Sequence, residues 1–195
     1  MITNYQRLSR QSQIIHPGMQ EARVVVAGLG MLGSWTAHAL VRAVRSLVVF
    51  DGGDKVEEEN VGNQAYGTVA VGQGKGEALQ AQLIGLPVTE VYCVKFPPSG
   101  WLLDDITTGK PEGVPDVVVS CVDTLHGREK IAKWCMDKGV ALFIDTRALG
   151  EVAVLCAATQ GQFDEYLTSL PREKDVEQDA RCGATGGAFT GMWVG

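Results

Sequence analysis

Arg23-Val24-Val25-Val26-Ala27-Gly28-Leu29-Gly30-Met31-Leu32-Gly33 is the stretch on which the fold of this chain turns. Its β-branched run suits an interior strand, and the strand leads straight into three glycines at the spacing G-x-G-x-x-G. Beyond them Leu32, Trp35, Thr36, Ala39, Leu40 and Ala43 recur at helical spacing and define one buried face. Leu47–Phe50 then reads as a second strand ending at Asp51, which completes a βαβ unit whose handedness sets the helix on one face of the sheet.

Outward from that unit the pattern repeats. A polar loop runs from Asp54 through Glu57-Glu58-Glu59-Asn60 to about Gly72, too rich in glycine and acid for a core element and suited to face a ligand. Ala78, Leu79, Leu83 and Leu86 predict an amphipathic helix over Lys75–Leu86, followed by a short strand near Val91–Val94 and a Pro/Gly-broken segment up to Pro115. Val117-Val118-Val119 reads as the next interior strand. A helix near Gly127–Lys138 is expected to bury Ile131, Trp134 and Cys135, ahead of strands near Leu142–Ile144 and Val152–Ala157. Residues 160–182 are charged and aperiodic and read as a mobile crossover segment, and residues 1–20 as an N-terminal helical arm. The expectation is one α/β domain over residues 1–195: Rossmann-like, with a mostly parallel sheet and helices on both faces.

Composition narrows the function classes. A chain of 195 residues can bury a full core without metal or disulfide staples. The net charge of −6 supplies no basic footprint for nucleic acid. No apolar run has the length of a bilayer span, and Met1-Ile2-Thr3-Asn4-Tyr5-Gln6-Arg7 lacks the pattern of a secretion signal, so a cytoplasmic protein without membrane partners is expected. Five widely spaced cysteines with no C-x-x-C pair argue against a disulfide framework and against zinc. Cys121 and Cys135 read as packing residues, and His16, His38 and His126 show no metal spacing.

The chemistry lies in the glycine turn and in charges outside it. A glycine turn lets backbone approach a phosphate, while the free N–H groups and dipole of the following helix attract the anion. Gly28, Gly30 and Gly33 have that spacing, and Asp51 at the second strand's end can accept ribose hydroxyls. This pair suits a nicotinamide-dependent oxidoreductase as well as an ATP enzyme. Arg10, Lys75 and Asp123 separate the two, because a triphosphate needs cations for its β and γ oxygens and an acid for the bridging magnesium. Asp123 also reads as an N-cap for the helix after it.

At this point the chain resembles the ThiF/MoeB/HesA proteins, relatives of ubiquitin-activating enzymes. The matching pieces are Arg7-x-x-Arg10-Gln11, Gly28-x-Gly30-x-x-Gly33, Asp51, Val56-x-x-x-Asn60-x-x-x-Gln64, Val71-Gly72-Gln73-x-Lys75, Asp116-Val117-Val118-Val119-x-Cys121-x-Asp123, Arg128 and Cys182-x-x-x-Gly186, in family order along almost the whole chain. The resemblance implies an adenylyltransferase that uses Mg-ATP to activate the C-terminal carboxylate of a small ubiquitin-like or sulfur-carrier protein ending in Gly-Gly. It implies that Gly28 and Gly30 line the phosphates, Asp51 binds ribose, Asn60 and Lys75 contact phosphate oxygens, and Asp123 holds magnesium. Arg10 would reach the γ-phosphate from the other subunit of a homodimer, and Cys182 stands where some members carry a persulfidated or acylated cysteine.

The chain departs from the family at three points. Asn63 stands where an arginine is usual, which removes a positive charge from the triphosphate site. The paired C-x-x-C motifs of many members are absent, so no zinc is expected. The sequence stops at Gly195, where members continue into elements that help dock the partner. A catalytically silent binding protein on the same fold is therefore a third reading.

Overall fold

The computed structural model describes residues 16–84, 90–95, 113–149 and 152–171. In chain order the elements are α1 (Pro17–Glu21), β1 (Arg23–Ala27), α2 (Met31–Leu40), β2 (Ser46–Asp51), α3 (Lys75–Ile84), β3 (Glu90–Lys95), β4 (Val117–Ser120), α4 (Leu125–Lys138), β5 (Leu142–Leu149), β6 (Val152–Ala158) and α5 (Phe163–Ser169). Two short 3-10 turns, Glu58–Asn60 and Thr68–Ala70, punctuate the loop after β2.

The strands form one sheet in the order β3-β2-β1-β4-β5-β6. The first five are parallel, and β6 returns antiparallel along β5 from Phe143↔Ala158 to Leu149↔Val152. The α/β, Rossmann-like reading is thereby borne out, with β6 as the antiparallel edge. Side chains alternate across the sheet, as the strand's period of two requires. Val24, Val26, Leu47 and Val49 meet Ala37, Val41, Leu79 and Leu83 of α2, its C-terminal turn and α3. Val25, Ala27, Val48 and Phe50 meet Ile131, Ala132, Phe163 and Tyr166 of α4 and α5 on the other face. Residues such as Leu79, Leu83 and Ile131 are fully buried, each contributing about 1.5–3 kcal/mol relative to exposure.

Several local expectations shift. The buried face of α2 runs through Ala37, while Ala39 is exposed and Trp35 only half-buried. Trp134 is likewise half-buried. The loop after β2 is not excluded from the core: Val56, Tyr66 and Ala70 are buried beneath α2 and α3. Within the supposed mobile segment, Phe163–Ser169 is a docked helix. Phe163 and Tyr166 pack on Phe143 with ring centroids 6.0 and 5.0 Å away. Phe163, Tyr166, Leu167 and Leu170 stand at i, i+3, i+4 and i+7 and all pack in the core cluster around Phe143, a short helical period embedded in an otherwise charged stretch. Residues 172–182 and 1–15 of the predicted crossover and arm lie outside the described residues.

Candidate functional site

The sheet order reverses between β1 and β4: the chain winds outward through β2 and β3, then crosses to β4 and β5. Open parallel sheets bind ligands in the crevice at the carboxyl ends of the two strands flanking such a reversal. Here one wall of that crevice is the turn Gly28-Leu29-Gly30 after β1, and the other is Cys121-Val122-Asp123 after β4.

Gly28 has φ +88°, and a Cβ there would lie 2.9 Å from the backbone of Cys121 and Val122. That contact makes glycine obligatory and brings the Asp123 loop against the turn. The Gly28 N–H donates to the Phe50 carbonyl at 2.8 Å, so its contribution is to shape the turn rather than to offer a donor to the crevice. Gly33 is equally constrained, since a Cβ would sit 1.8 Å from the Gly28 carbonyl oxygen. At Gly30, by contrast, a Cβ would meet no protein atom within 4 Å. This residue is the N-cap of α2 and has no side-chain cap, which leaves the first N–H groups of a ten-residue helix for another acceptor.

Asp51 ends β2 beside the turn with 5% exposure. Its Oδ2 accepts the Gly53 N–H at 3.0 Å. Burial pushes its carboxyl above the ordinary carboxylate range, opposed by the Gly53 N–H and by the Lys75 ammonium, while Asp54 adds to the rise. Lys75 comes within that electrostatic reach because its loop closes on itself. Val56 donates to the Gln73 carbonyl, Gly72 to the Val56 carbonyl and Lys75 to the Asp54 carbonyl, all at 2.8 Å. The Lys75 side chain is mostly buried, and its Nζ lies 3.9 Å from Asp54 Oδ2.

Asp123 is exposed and makes no hydrogen bond or ion pair among the described residues. It does not cap α4. That position belongs to Thr124, whose hydroxyl accepts the Gly127 N–H at 3.2 Å. Asn60 Oδ1 accepts the Glu57 N–H at 3.0 Å, capping its own 3-10 turn. Asn63 is half-buried, with its Oδ1 lacking a partner among the described residues and its carbonyl accepting Trp35 Nε1–H at 3.3 Å.

The structure therefore gathers Gly28, Gly30, Gly33, Asp51, Lys75 and the Asp123 loop at one end of the sheet. Asn60 and Asn63 ride on the loop fastened to α2 beside them. Arg10 and Cys182 lie outside the described residues. No group of three or more metal-binding side chains occurs among the described residues. A lone carboxylate such as Asp123 nevertheless matches magnesium's habit of taking one or two protein ligands and filling its shell with water and phosphate.

The family model for the ThiF family matches residues 5–194. The chain belongs to the ThiF family. Among solved structures, this ThiF-family chain is similar to E. coli MccB with ATP, at a TM-score of 0.65 and 19% identity over 83% of this chain and 49% of that one. It is also similar to a TcdA (CsdL) structure, with a TM-score of 0.66 and 18% identity over 97% and 90% of the two chains. To E. coli tRNA N6-threonylcarbamoyladenosine dehydratase, TcdA, it has a TM-score of 0.63 and 21% identity over 78% and 63%. The ThiF-family chain thus spans 41% of one MccB structure and 63% of that TcdA structure. At these identities the likeness establishes a shared fold. No curated protein sequence matches.

Two features of the ThiF-family site were not legible beforehand. Tyr66 reaches the glycine turn, its hydroxyl donating to the Leu29 carbonyl at 2.8 Å. Under the β4 wall, Asp145 is wholly buried between Arg128 and Arg147. Arg128 Nη1 donates to its Oδ1 and, at 2.9 Å, to the Thr146 carbonyl, while Arg147 Nε donates to its Oδ2 at 2.7 Å. Arg128 belonged to the motif series, but nothing in sequence spacing ties it to Asp145. Cys121, read as a strand packing residue, lies just past β4. Burial pushes its thiol up to about 11, although the Thr146 hydroxyl 3.2 Å away opposes the rise. Such a thiol stays protonated near neutrality and is a poor nucleophile. Among the described residues no helix is long and apolar enough to cross a membrane.

Proposed function

We propose that this chain binds ATP at the switch-point crevice and adenylates a carboxylate, that of the C-terminal glycine of a small ubiquitin-like or sulfur-carrier protein. The observation that carries the reading is the convergence of Lys75, Asp51 and the Asp123 loop on an uncapped helix N-terminus behind a glycine turn. A nicotinamide-dependent oxidoreductase would use the turn and Asp51 but leaves Lys75 and Asp123 without work. The family match and the MccB structure with ATP support the nucleotide.

In this reading the N–H groups at the start of α2 and the Lys75 ammonium hold the triphosphate, with the Asn60 amide N–H groups as additional donors. Asp51 accepts the ribose hydroxyls. The incoming carboxylate attacks the α-phosphorus, the bond to the bridging oxygen breaks, and pyrophosphate leaves with that electron pair. Magnesium, when bound, would neutralise charge on the phosphate oxygens, and Asp123 would hold it. Catalysis is alignment plus charge stabilisation, with no protein nucleophile. Arg10 from the second copy of a homodimer completes the γ-phosphate contacts. Cys182 is reserved for any later sulfur or acyl transfer.

The test is isotope exchange between pyrophosphate and ATP with Gly-Gly carrier proteins, run beside Asp123→Ala. Carrier-dependent exchange that Asp123→Ala abolishes while its circular dichroism stays unchanged supports the proposal. Binding of NADH but not ATP defeats it. Tight ATP binding without exchange for any carrier favours the catalytically silent reading.

A further inference from the structure

We infer that Tyr66 is a positioning residue for the nucleotide phosphates, acting through the peptide that joins Leu29 to Gly30. This rests on the ATP reading above. Tyr66 stands in the polar loop after β2, yet it is 4% exposed and packed into the core under α2 and α3. Its hydroxyl donates to the carbonyl of Leu29, the middle residue of the turn, across 37 positions of sequence. In a trans peptide the C=O and the following N–H point in opposite directions. Holding the Leu29 carbonyl toward the core therefore aims the Gly30 N–H away from it. Gly30 is also the position beside which a Cβ would find open space.

Further contacts make the arrangement a coupling and not an isolated bond. Ser34, inside α2, accepts the Ala65 N–H at 3.0 Å, and Trp35 Nε1 donates to the Asn63 carbonyl at 3.3 Å. The loop that carries Asn60 and leads to Lys75 is thus pinned to the turn and to the first turns of α2. The tyrosine hydroxyl is the pin that reaches the turn itself. Without it the buried Leu29 carbonyl has no tyrosine donor, and the peptide gains freedom to rotate toward another partner.

The experiment compares adenosine, AMP and ATP binding to the wild-type protein and Tyr66→Phe by calorimetry, alongside thermal melts of both. The phenyl ring preserves the packing, so Tyr66→Phe is expected to fold. ATP should bind roughly 5- to 30-fold more weakly, the loss of one aligned donor, while adenosine binds equally to both proteins. Equal ATP affinity, or an equal loss for adenosine and ATP, overturns the inference, because a merely structural role would weaken both ligands alike. Amide hydrogen exchange on the wild-type protein supplies a second measurement: ATP should slow exchange at Gly30, and an unchanged Gly30 rate also overturns it. If the wild-type protein binds no ATP at all, the nucleotide reading fails first, and the two failures are told apart.

Discussion

Replacing Gly33 with alanine would set a methyl carbon 1.8 Å from the Gly28 carbonyl oxygen and 3.2 Å from Cys121 Cβ. The oxygen belongs to a backbone already held by the Gly28–Phe50 hydrogen bond, so α2 must retreat rather than the turn. Restoring even a 3.0 Å contact requires a movement of more than 1 Å. Overpacking of that kind costs about 1–3 kcal/mol. The same movement carries the free N–H groups of α2 past hydrogen-bonding range of a phosphate seated on the turn. Losing one hydrogen bond to a charged acceptor costs about 1.5–3 kcal/mol, roughly 10- to 100-fold in ATP affinity. Gly33→Ala should therefore lose both stability and ATP.

Gly30→Ala is the control that separates the two effects. A Cβ at that position meets no protein atom within 4 Å, and its φ of −74° is outside the left-handed region that favours glycine. Stability should change by less than about 1 kcal/mol. The methyl group nevertheless occupies the space a phosphate would need, so ATP affinity should fall at least about tenfold. Urea denaturation and calorimetric titration of the two variants check this. Wild-type ATP binding by Gly30→Ala, or an unperturbed midpoint for Gly33→Ala, would refute the assignment of this turn as the phosphate seat.

Lys75→Met keeps the buried stem and removes the charge, so its affinity loss should grow from AMP to ATP and reach roughly tenfold or more for ATP; a loss equal for both nucleotides argues against a β/γ-phosphate contact. Arg128→Leu leaves buried Asp145 with Arg147 as its remaining ion-pair partner and should cost about 1.5–3 kcal/mol in denaturant unfolding; a change under about 1 kcal/mol would show the pair to be dispensable. Because burial raises the Asp51 carboxyl, the folded chain binds its proton more tightly than the unfolded one. Stability should then fall as pH rises from the ordinary carboxylate range through the raised Asp51 value. Asp51→Asn should flatten that part of the pH profile, and an unchanged slope would assign the dependence to other groups.

The fold was readable where physics is local. β-branched runs, glycine spacing and helical periodicity located β1, β2, α3 and α4 to within a few residues, since strand and helix periods are written directly into side-chain order. The motif series likewise marked Gly28, Gly30, Gly33, Asp51, Lys75 and Asp123 before any geometry was known. The helix α5 escaped because its period, Phe163, Tyr166, Leu167 and Leu170, spans only two turns inside a charged stretch whose overall composition reads as loop. Thr124 rather than Asp123 capped α4 because cap choice depends on local backbone angles, and either residue type fits.

What sequence alone determined about this chain is therefore the order of the strands and of every helix before α5, and the identity of most groups that converge at the crevice. Only the tertiary structure decided which of those groups touch. It drew Tyr66 into the core to hold the Leu29 carbonyl, folded Lys75 back toward Asp51, and buried Asp145 between two arginines. Apart from Asp145–Arg147, two residues apart on β5, each of these contacts joins residues far apart along the chain. Such pairings follow from the crossing of the sheet and the closing of a loop, which leave no regular interval in the sequence to be read.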